Sequence, residues 1–378
     1  MNDIRTDTDT VDATASHTDR EIRQQPEVWQ EAAALIRAAR DDIDSFLQPL
    51  LQRKDLRVIL TGAGTSAFAG GVVAPTVARA TGRRVESIAT TDLVSNPHHY
   101  LEPAVPTLLV SFACSGNSPE SVAATRLADQ VLGDASHLII TCNANGDLAR
   151  EHADRPGSLV LTMPPRSDDA GFAMTSSFTS MMLSALLVFL GDDAGAVDAL
   201  AHAASKVISS DWTRIADLAR RGIGRLVYLG SGPLAALAQE SALKSLELTA
   251  GRLVSYHDSS LGFRHGPKAV LDGHTLAVVY ISNDPYTRSY DLDIVAELRS
   301  ALDPSRVVSV AADEGADIVL PGLETVDDGY LAIADVVVAQ ILALSFALEA
   351  GITPDNPFPG GDVNRVVQGV HIHTLDEH

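Results

Sequence analysis

Cysteine is almost missing from this sequence: Cys114 and Cys142 are the only two in 378 residues, too few for a disulfide framework. Cations are scarce too, with 28 Lys and Arg against 49 Asp and Glu, a formal net charge of −21. Sequence-independent nucleic-acid binding runs on clustered Lys and Arg, so nucleic acid is excluded as a partner. An anionic ligand would have to be attracted locally, by helix N-termini and a few placed cations. The opening MNDIRTDTDT has no apolar core of a signal peptide. Apolar runs such as Met181 to Leu190 are far shorter than the ~20 residues that span a bilayer. The chain therefore reads as cytosolic, with no membrane partner.

What is present is a globular composition, 46% hydrophobic and 20% charged, and length enough for two domains. Residues 1 to about 17 are rich in Thr and Asp and poor in apolar residues, which predicts disorder. Thr18 and Glu21 have capping-box spacing, and Pro26 suits the first turn of a helix carrying Val28, Trp29, Ala32, Leu35 and Ile36 on one side. Residues 1–50 are thus a disordered N-terminus followed by a helical arm that packs on a domain or a partner subunit. Beyond the arm, short apolar runs alternate with Ala-rich helical stretches, the pattern of a parallel sheet covered by helices. Strands are predicted at Arg57–Thr61, Arg84–Ala89, Thr107–Phe112, Leu138–Thr141 and Leu159–Thr162. A second series falls at Leu226–Leu229, Leu253–Tyr256, Leu276–Ile281, Val307–Val310 and Asp317–Leu320.

The two series align at one offset. RVILTGAG starts at Arg57 and RLVYLGSG at Arg225; TLLVSFACSGNS starts at Thr107 and TLAVVYISNDPY at Thr275, both 168 residues apart. Two segments sharing one offset indicate an internal duplication. The fold expected is α/β, two similar domains at 51–205 and 206–378, each a mostly parallel sheet with helices on both faces. Features kept by one copy alone then need an explanation other than the fold. Ser115 and Ser118 become Asn283 and Tyr286 in the second copy, which instead carries Glu240, Lys244 and Glu247 and the loop GFRHGP. One site built from complementary halves is the natural inference.

In SFACSGNSPES, Ser118-Pro119-Glu120 reads as an N-cap, a proline at the first helical position and a helix start. Such an N-terminus suits a phosphate, with Gly116 allowing close backbone approach and Ser115 and Ser118 adding neutral donors; a plain strand-to-helix turn has the same signature. No Gly-x-Ser-x-Gly elbow surrounds Ser115, which argues against a serine nucleophile. TGAGTSAFAGG matches the loose dinucleotide pattern, but the acid such a site needs at the end of the next strand is missing, since Glu86 lies near that strand's start. Thr65 and Ser66 supply further hydroxyls after Gly64. Glu240, Lys244 and Glu247 share one helix face, fitting either a solvent-exposed ion-pair ladder or a general base, Glu247, beside a polarising Lys244. His265 sits in a turn that leaves its ring available, as surface or as acid/base group. His98–His99 and His371/His373 have no acid or cysteine at ligand spacing, so no metal is expected. Cys114, beside a helix N-terminus, could be acidic but lacks a nearby base in sequence.

Taken together, GAGTS, SGNSPES and ALKSLELTAG…GFRHGPKAV resemble the signature regions of the sugar isomerase (SIS) domain superfamily. TDREIRQQPEVW, GFAMTSSFT and DNPFPGGDVNRVVQGV are similar to its galactosamine-6-phosphate deaminase/isomerase members, also called tagatose-6-phosphate ketose/aldose isomerases. The resemblance implies two tandem SIS domains and a phosphosugar substrate held by Gly64, Thr65, Ser66, Ser115, Gly116, Asn117 and Ser118. It implies Glu247 as the C1/C2 proton shuttle, Lys244 one turn before it, and His265 as a ring-opening group supplied by a neighbouring subunit, hence a homodimer or higher oligomer. No metal or organic cofactor is implied. Two departures stand out: Ala113 occupies a position usually held by a phosphate-binding serine, and Gln368 one held by a lysine in the related synthase.

Overall fold

The computed structural model describes residues 16–367 and 369–375. All ten predicted strands are present: β1 (Arg57–Thr61), β2 (Arg84–Ser87), β3 (Thr107–Ala113), β4 (Ala135–Thr141), β5 (Ser158–Thr162), β6 (Arg225–Gly230), β7 (Val254–Ser259), β8 (Thr275–Tyr280), β9 (Val307–Ala311) and β10 (Ile318–Val319). They form two five-stranded sheets with one topology, β2-β1-β3-β4-β5 and β7-β6-β8-β9-β10, and every pairing is parallel. The repeat extends to the register. Arg57 lies opposite Thr107, and Arg225 opposite Thr275.

Helices cover both faces, which is why β1, β3 and β8 are buried along their whole length rather than alternating. On the outer faces, Ile59 and Leu109 pack on the helix Pro119–Val131, and Val227 and Val279 on the helix Pro285–Ala301. On the inner faces, Val58, Leu60, Leu226 and Val278 belong to one continuous cluster. Four helices fill the space between the sheets: Thr65–Thr81 and Ser176–Leu190 from the first half, Pro233–Leu248 and Asp328–Glu349 from the second. The two halves therefore share a core.

Asp328–Glu349 corrects the expectation that no apolar stretch approaches a membrane span. It has the length and composition to cross one, with a mean hydropathy of 2.3 over its best window, but 94% of that window is buried inside the protein. A helix surrounded by other helices needs no polar face.

The arm differs from its prediction in two places. Its helix runs His17–Ala38 and is capped by Ser16, whose hydroxyl accepts from the Asp19 N–H; Thr18 and Glu21 make no capping box. Thr18 instead donates to Asp355, and Glu21 accepts from the backbone of Ala170 and Gly171. Pro26 lies inside the helix rather than in its first turn. The Ile22 carbonyl that Pro26 cannot serve accepts from the Gln25 side chain at 3.1 Å, which lets the helix continue. The arm packs on the helices Ser176–Leu190 and Ala194–Lys206. Residues 1–15, most of the segment predicted to be disordered, lie outside the described residues.

Glu21 works with a second buried carboxylate. Asp169 accepts from the backbone N–H groups of Thr175, Ser176 and Ser177 at 2.8, 3.1 and 2.9 Å, and from the Ser177 hydroxyl at 2.6 Å. It thereby satisfies the start of the Ser176–Leu190 helix, which no residue caps from the usual position. Asp169→Ala would leave these buried donors unpaired, and we expect a loss of about 2–4 kcal/mol in chemical denaturation. A denaturation midpoint unchanged from wild type would show that the carboxylate is dispensable to the fold.

Candidate functional site

In each sheet the chain leaves the first strand toward one edge and the third toward the other. The crevice between β1 and β3 is therefore the switch point of the first sheet, where open α/β sheets bind ligands. A cavity sits there. Gly64, at φ 54°, turns the chain into the helix Thr65–Thr81, and Ser118 starts the helix Pro119–Val131. Neither N-terminus has a side-chain cap. Two sets of helix-start N–H groups with their positive dipole ends thus converge on a cavity lined by Gly64, Thr65, Ser66, Ser115, Gly116 and Ser118. Gly116, at φ 67°, holds the left-handed turn between Ser115 and Asn117. Ser118 donates to Ser121 at 2.6 Å, and the Ser115 hydroxyl accepts from the Asn117 N–H at 3.3 Å. This surface is shaped for an anion.

Across the cavity lie Lys244 and Glu247, from the second half. The helix Pro233–Leu248 packs against Thr65–Thr81, Asp328–Glu349, β6 and β7, so its charged face points inward. This overturns the solvent-exposed ladder. Glu240 and Lys244 are 0% and 1% exposed, whereas Glu247 keeps 26%. The Lys244 ammonium donates to Glu247 at 2.5 Å and lies 3.4 Å from Glu240. Burial pulls Lys244 down, but the two carboxylates more than offset it and hold the group above its ordinary value. Glu240 is pushed up to about 8 by burial, against the pull of Lys244. One of its oxygens accepts from Thr65 at 3.3 Å, and the other has no protein partner among the described residues. Glu247, the carboxylate that lines the cavity, is placed to exchange a proton with a bound ligand.

The equivalent place in the second half is already filled. Asp291, 0% exposed, accepts from the Ser231 and Ser260 hydroxyls, both at 2.6 Å, and from the Ser282 N–H at 3.0 Å. Asp328 accepts from the Ser282 hydroxyl and the Asn283 N–H. Internal carboxylates occupy the donors at the second switch point, whereas the two helix starts at the first have no side-chain cap.

Two sequence-predicted residues are placed elsewhere. Asn117 faces a neighbouring groove, where its side-chain oxygen accepts from the Asp147 N–H at 2.9 Å. His265 follows the short turn Gly262–Arg264, is exposed, and does not line this chain's cavity. Ala113 lines the cavity without a hydroxyl, and Gln368 lies outside the described residues. Glu86 is held by Arg57 at 2.6 Å. No cluster of His, Cys, Asp and Glu able to hold a metal occurs among the described residues. Cys114 lies beside Cys142, which with the Arg365 charge lowers its pKa against the effect of burial. Sequence reasoning missed Phe172, Met174 and the segment 363–367 as lining. All belong to irregular chain, where no periodicity marks them; Phe172 and Met174 are delivered by the loop that Glu21 and Asp169 hold.

The comparisons with known proteins agree with this architecture. The SIS domain model matches residues 50–191. A Streptomyces coelicolor relative is 58% identical, covering 97% of this chain and 98% of its own. The D-galactosamine-6-phosphate deaminase AgaS of Escherichia coli is 46% identical over 96% of each chain. The crystal structure of tagatose-6-phosphate ketose/aldose isomerase from Escherichia coli superposes with a TM-score of 0.87 at 44% identity, over 96% of this chain and 98% of that one.

The raised Glu240 has a consequence for stability. Its folded pKa of about 8 exceeds the ordinary 4.5, so the folded protein keeps a proton that the unfolded chain releases across that interval. Stability from this group is complete below about pH 4.5 and is lost as pH rises toward 8. Glu240→Gln cannot titrate, and its denaturation midpoint should fall less steeply than wild type over that window. Parallel curves would show that Glu240 is ionised throughout.

Proposed function

The chain belongs to the family of D-galactosamine-6-phosphate deaminase AgaS, and from that premise we propose a metal-free amino sugar phosphate isomerase/deaminase that converts galactosamine-6-phosphate to tagatose-6-phosphate and ammonia. The observation that supports this reading most is the pairing, across one cavity, of two uncapped helix N-termini with Glu247 on Lys244. The phosphate sits on Ser115, Ser118, Thr65 and Ser66 and the amides of Gly64 and Gly116. Binding energy from this remote group positions C1 and C2 at Glu247.

With the sugar ring open, the Glu247 carboxylate removes the C2 proton, and electrons move toward the C1 carbonyl oxygen to give an enolamine. Nearby donors stabilise that oxygen, and Lys244 keeps Glu247 oriented. Returning the proton to C1, with a second proton passing from the nitrogen to the C1 oxygen, makes C2 an imine and C1 a hydroxymethyl group. Water adds to C2 and ammonia leaves, giving the ketose phosphate. A substrate with a hydroxyl at C2 would follow the same proton transfer to a ketose without ammonia.

His265 opens the ring in a neighbouring subunit's cavity. Support comes from its exposure and distance from its own cavity's lining, and from the surface around it. β7 is an edge strand, and Leu246, Val254 and Leu261 nearby are 45%, 57% and 46% exposed. An edge flanked by apolar side chains suits pairing with a second copy.

Two experiments test these assignments. Glu247→Gln should lower turnover about 10²–10⁴-fold with little change in substrate binding, and exchange of the substrate C2 proton with solvent should vanish in parallel. Assaying ammonia and ketose across a panel of hexose and hexosamine 6-phosphates gives the wild-type reference, and wild-type exchange in the variant would make Glu247 structural. Separately, inactive Glu247→Gln protein mixed with inactive His265→Ala protein should regain activity once subunits exchange. No recovery despite demonstrated exchange would place both groups in one subunit's site.

A further inference from the structure

The cavity is lined by two cations, Lys244 and Arg365, and one carboxylate, Glu247. Lys244 is committed to Glu247 and Glu240, at 2.5 and 3.4 Å. Arg365 is not committed in this way. Its guanidinium lies 3.9 Å from the Cys114 sulfur and 4.0 Å from the Asp168 carboxylate, the latter beyond hydrogen-bond distance. Five N–H donors in a planar fork are thus left with two loose contacts among the described residues. Cys114 stands between Ala113, where the cup lacks a hydroxyl, and Ser115, where it has one. The side chain is 34% exposed, so it can move onto a ligand.

We infer that Arg365 is a ligand for the substrate's phosphate, delivered to the first half's cup by the C-terminal segment. The inference rests on reading the cavity as a phosphosugar site and names a residue that reading does not include. The cup itself offers only hydroxyls and backbone dipoles, and the protein's net charge of −21 opposes any dianion. A guanidinium supplies full charge and two parallel donors, the geometry phosphate oxygens accept best. Residues 363–367 already line the cavity, so an anion held by Arg365 would fix this segment there and couple phosphate occupancy to coverage of the sugar. Asp168 is the resting partner that holds the guanidinium near the cup until an anion arrives.

Inorganic phosphate is the probe, titrated calorimetrically into the full-length protein and its variants. Arg365→Gln should weaken phosphate binding about 10- to 100-fold and raise KM for the sugar phosphate more than it lowers kcat. Arg365→Lys, which keeps the charge but loses the fork, should recover part of the affinity. Ser118→Ala reports on the cup independently. If Arg365→Gln binds phosphate like wild type while Ser118→Ala is weakened, the cup stands and the role of Arg365 is overturned. Equal losses in Arg365→Gln and Arg365→Lys, with the melting temperature lowered in both, would also overturn it, because packing rather than charge would then be at work. Phosphate binding indifferent to all three variants would remove both the inference and the cup.

Discussion

An ammonium buried to 1% exposure is the constraint around which the rest of this structure is arranged. Lys244 cannot stay charged in the interior without paired carboxylates, because the desolvation cost of an isolated ion is several kcal/mol. Glu247 accepts from it at 2.5 Å, and Glu240, which burial pushes toward its protonated form, lies 3.4 Å away; both sit on the same helix, one turn away on either side. The helix carrying all three packs against the helices Thr65–Thr81 and Asp328–Glu349 and against β6 and β7, so the charges must share one small region. Burial raises Glu240, the two acidic neighbours keep Lys244 protonated against that same burial, and Glu247 is the carboxylate of this helix that lines the cavity.

Duplication provides the frame, and divergence provides the division of labour. Both halves place strand ends and helix starts at the same topological point, and both therefore present donors to an acceptor. The second half satisfies its donors internally, through Asp291 and Asp328, and turns its central helix toward the first half's cavity. The first half leaves its two helix starts without side-chain caps and contributes no carboxylate, histidine or lysine to the cavity lining. Residues of both halves line the one cavity. The shared core between the sheets makes the combination rigid, since moving one sheet against the other would disrupt a single continuous apolar cluster.

Segments without regular structure complete the cavity, and the loop at 170–174 is tied down by buried polar contacts. Glu21 of the arm and Asp169 hold the loop that presents Phe172 and Met174. Asp355, close to the C-terminal segment, receives the first turn of the arm helix. The arm, the loop and the C-terminal segment thus form one connected surround on the first half, although they are far apart in sequence.

The sequence by itself determined the ten strands, the offset of 168 residues and the two helix starts, because apolar runs, glycines and prolines act locally. It also put Ser115, Ser118, Thr65 and Ser66 in the turns and helix starts that follow β1 and β3, because the glycines and Pro119 mark those turns locally. It could not decide whether Glu240, Lys244 and Glu247 face water or the core. Spacing along one helix is the same in both cases, and only the neighbouring helices settle it. Nor could it turn Glu21 from a cap into a tether, put Pro26 in mid-helix, or move Asn117 out of the cavity. Those outcomes depend on partners between 30 and 150 residues away, or on a side chain relieving a lost backbone bond. Arg365 lay in a segment of turns and exposed residues, where no pattern marks a side chain as functional. Its place beside Cys114, 251 residues earlier in the chain, exists only once the C-terminal segment has folded back onto the first sheet.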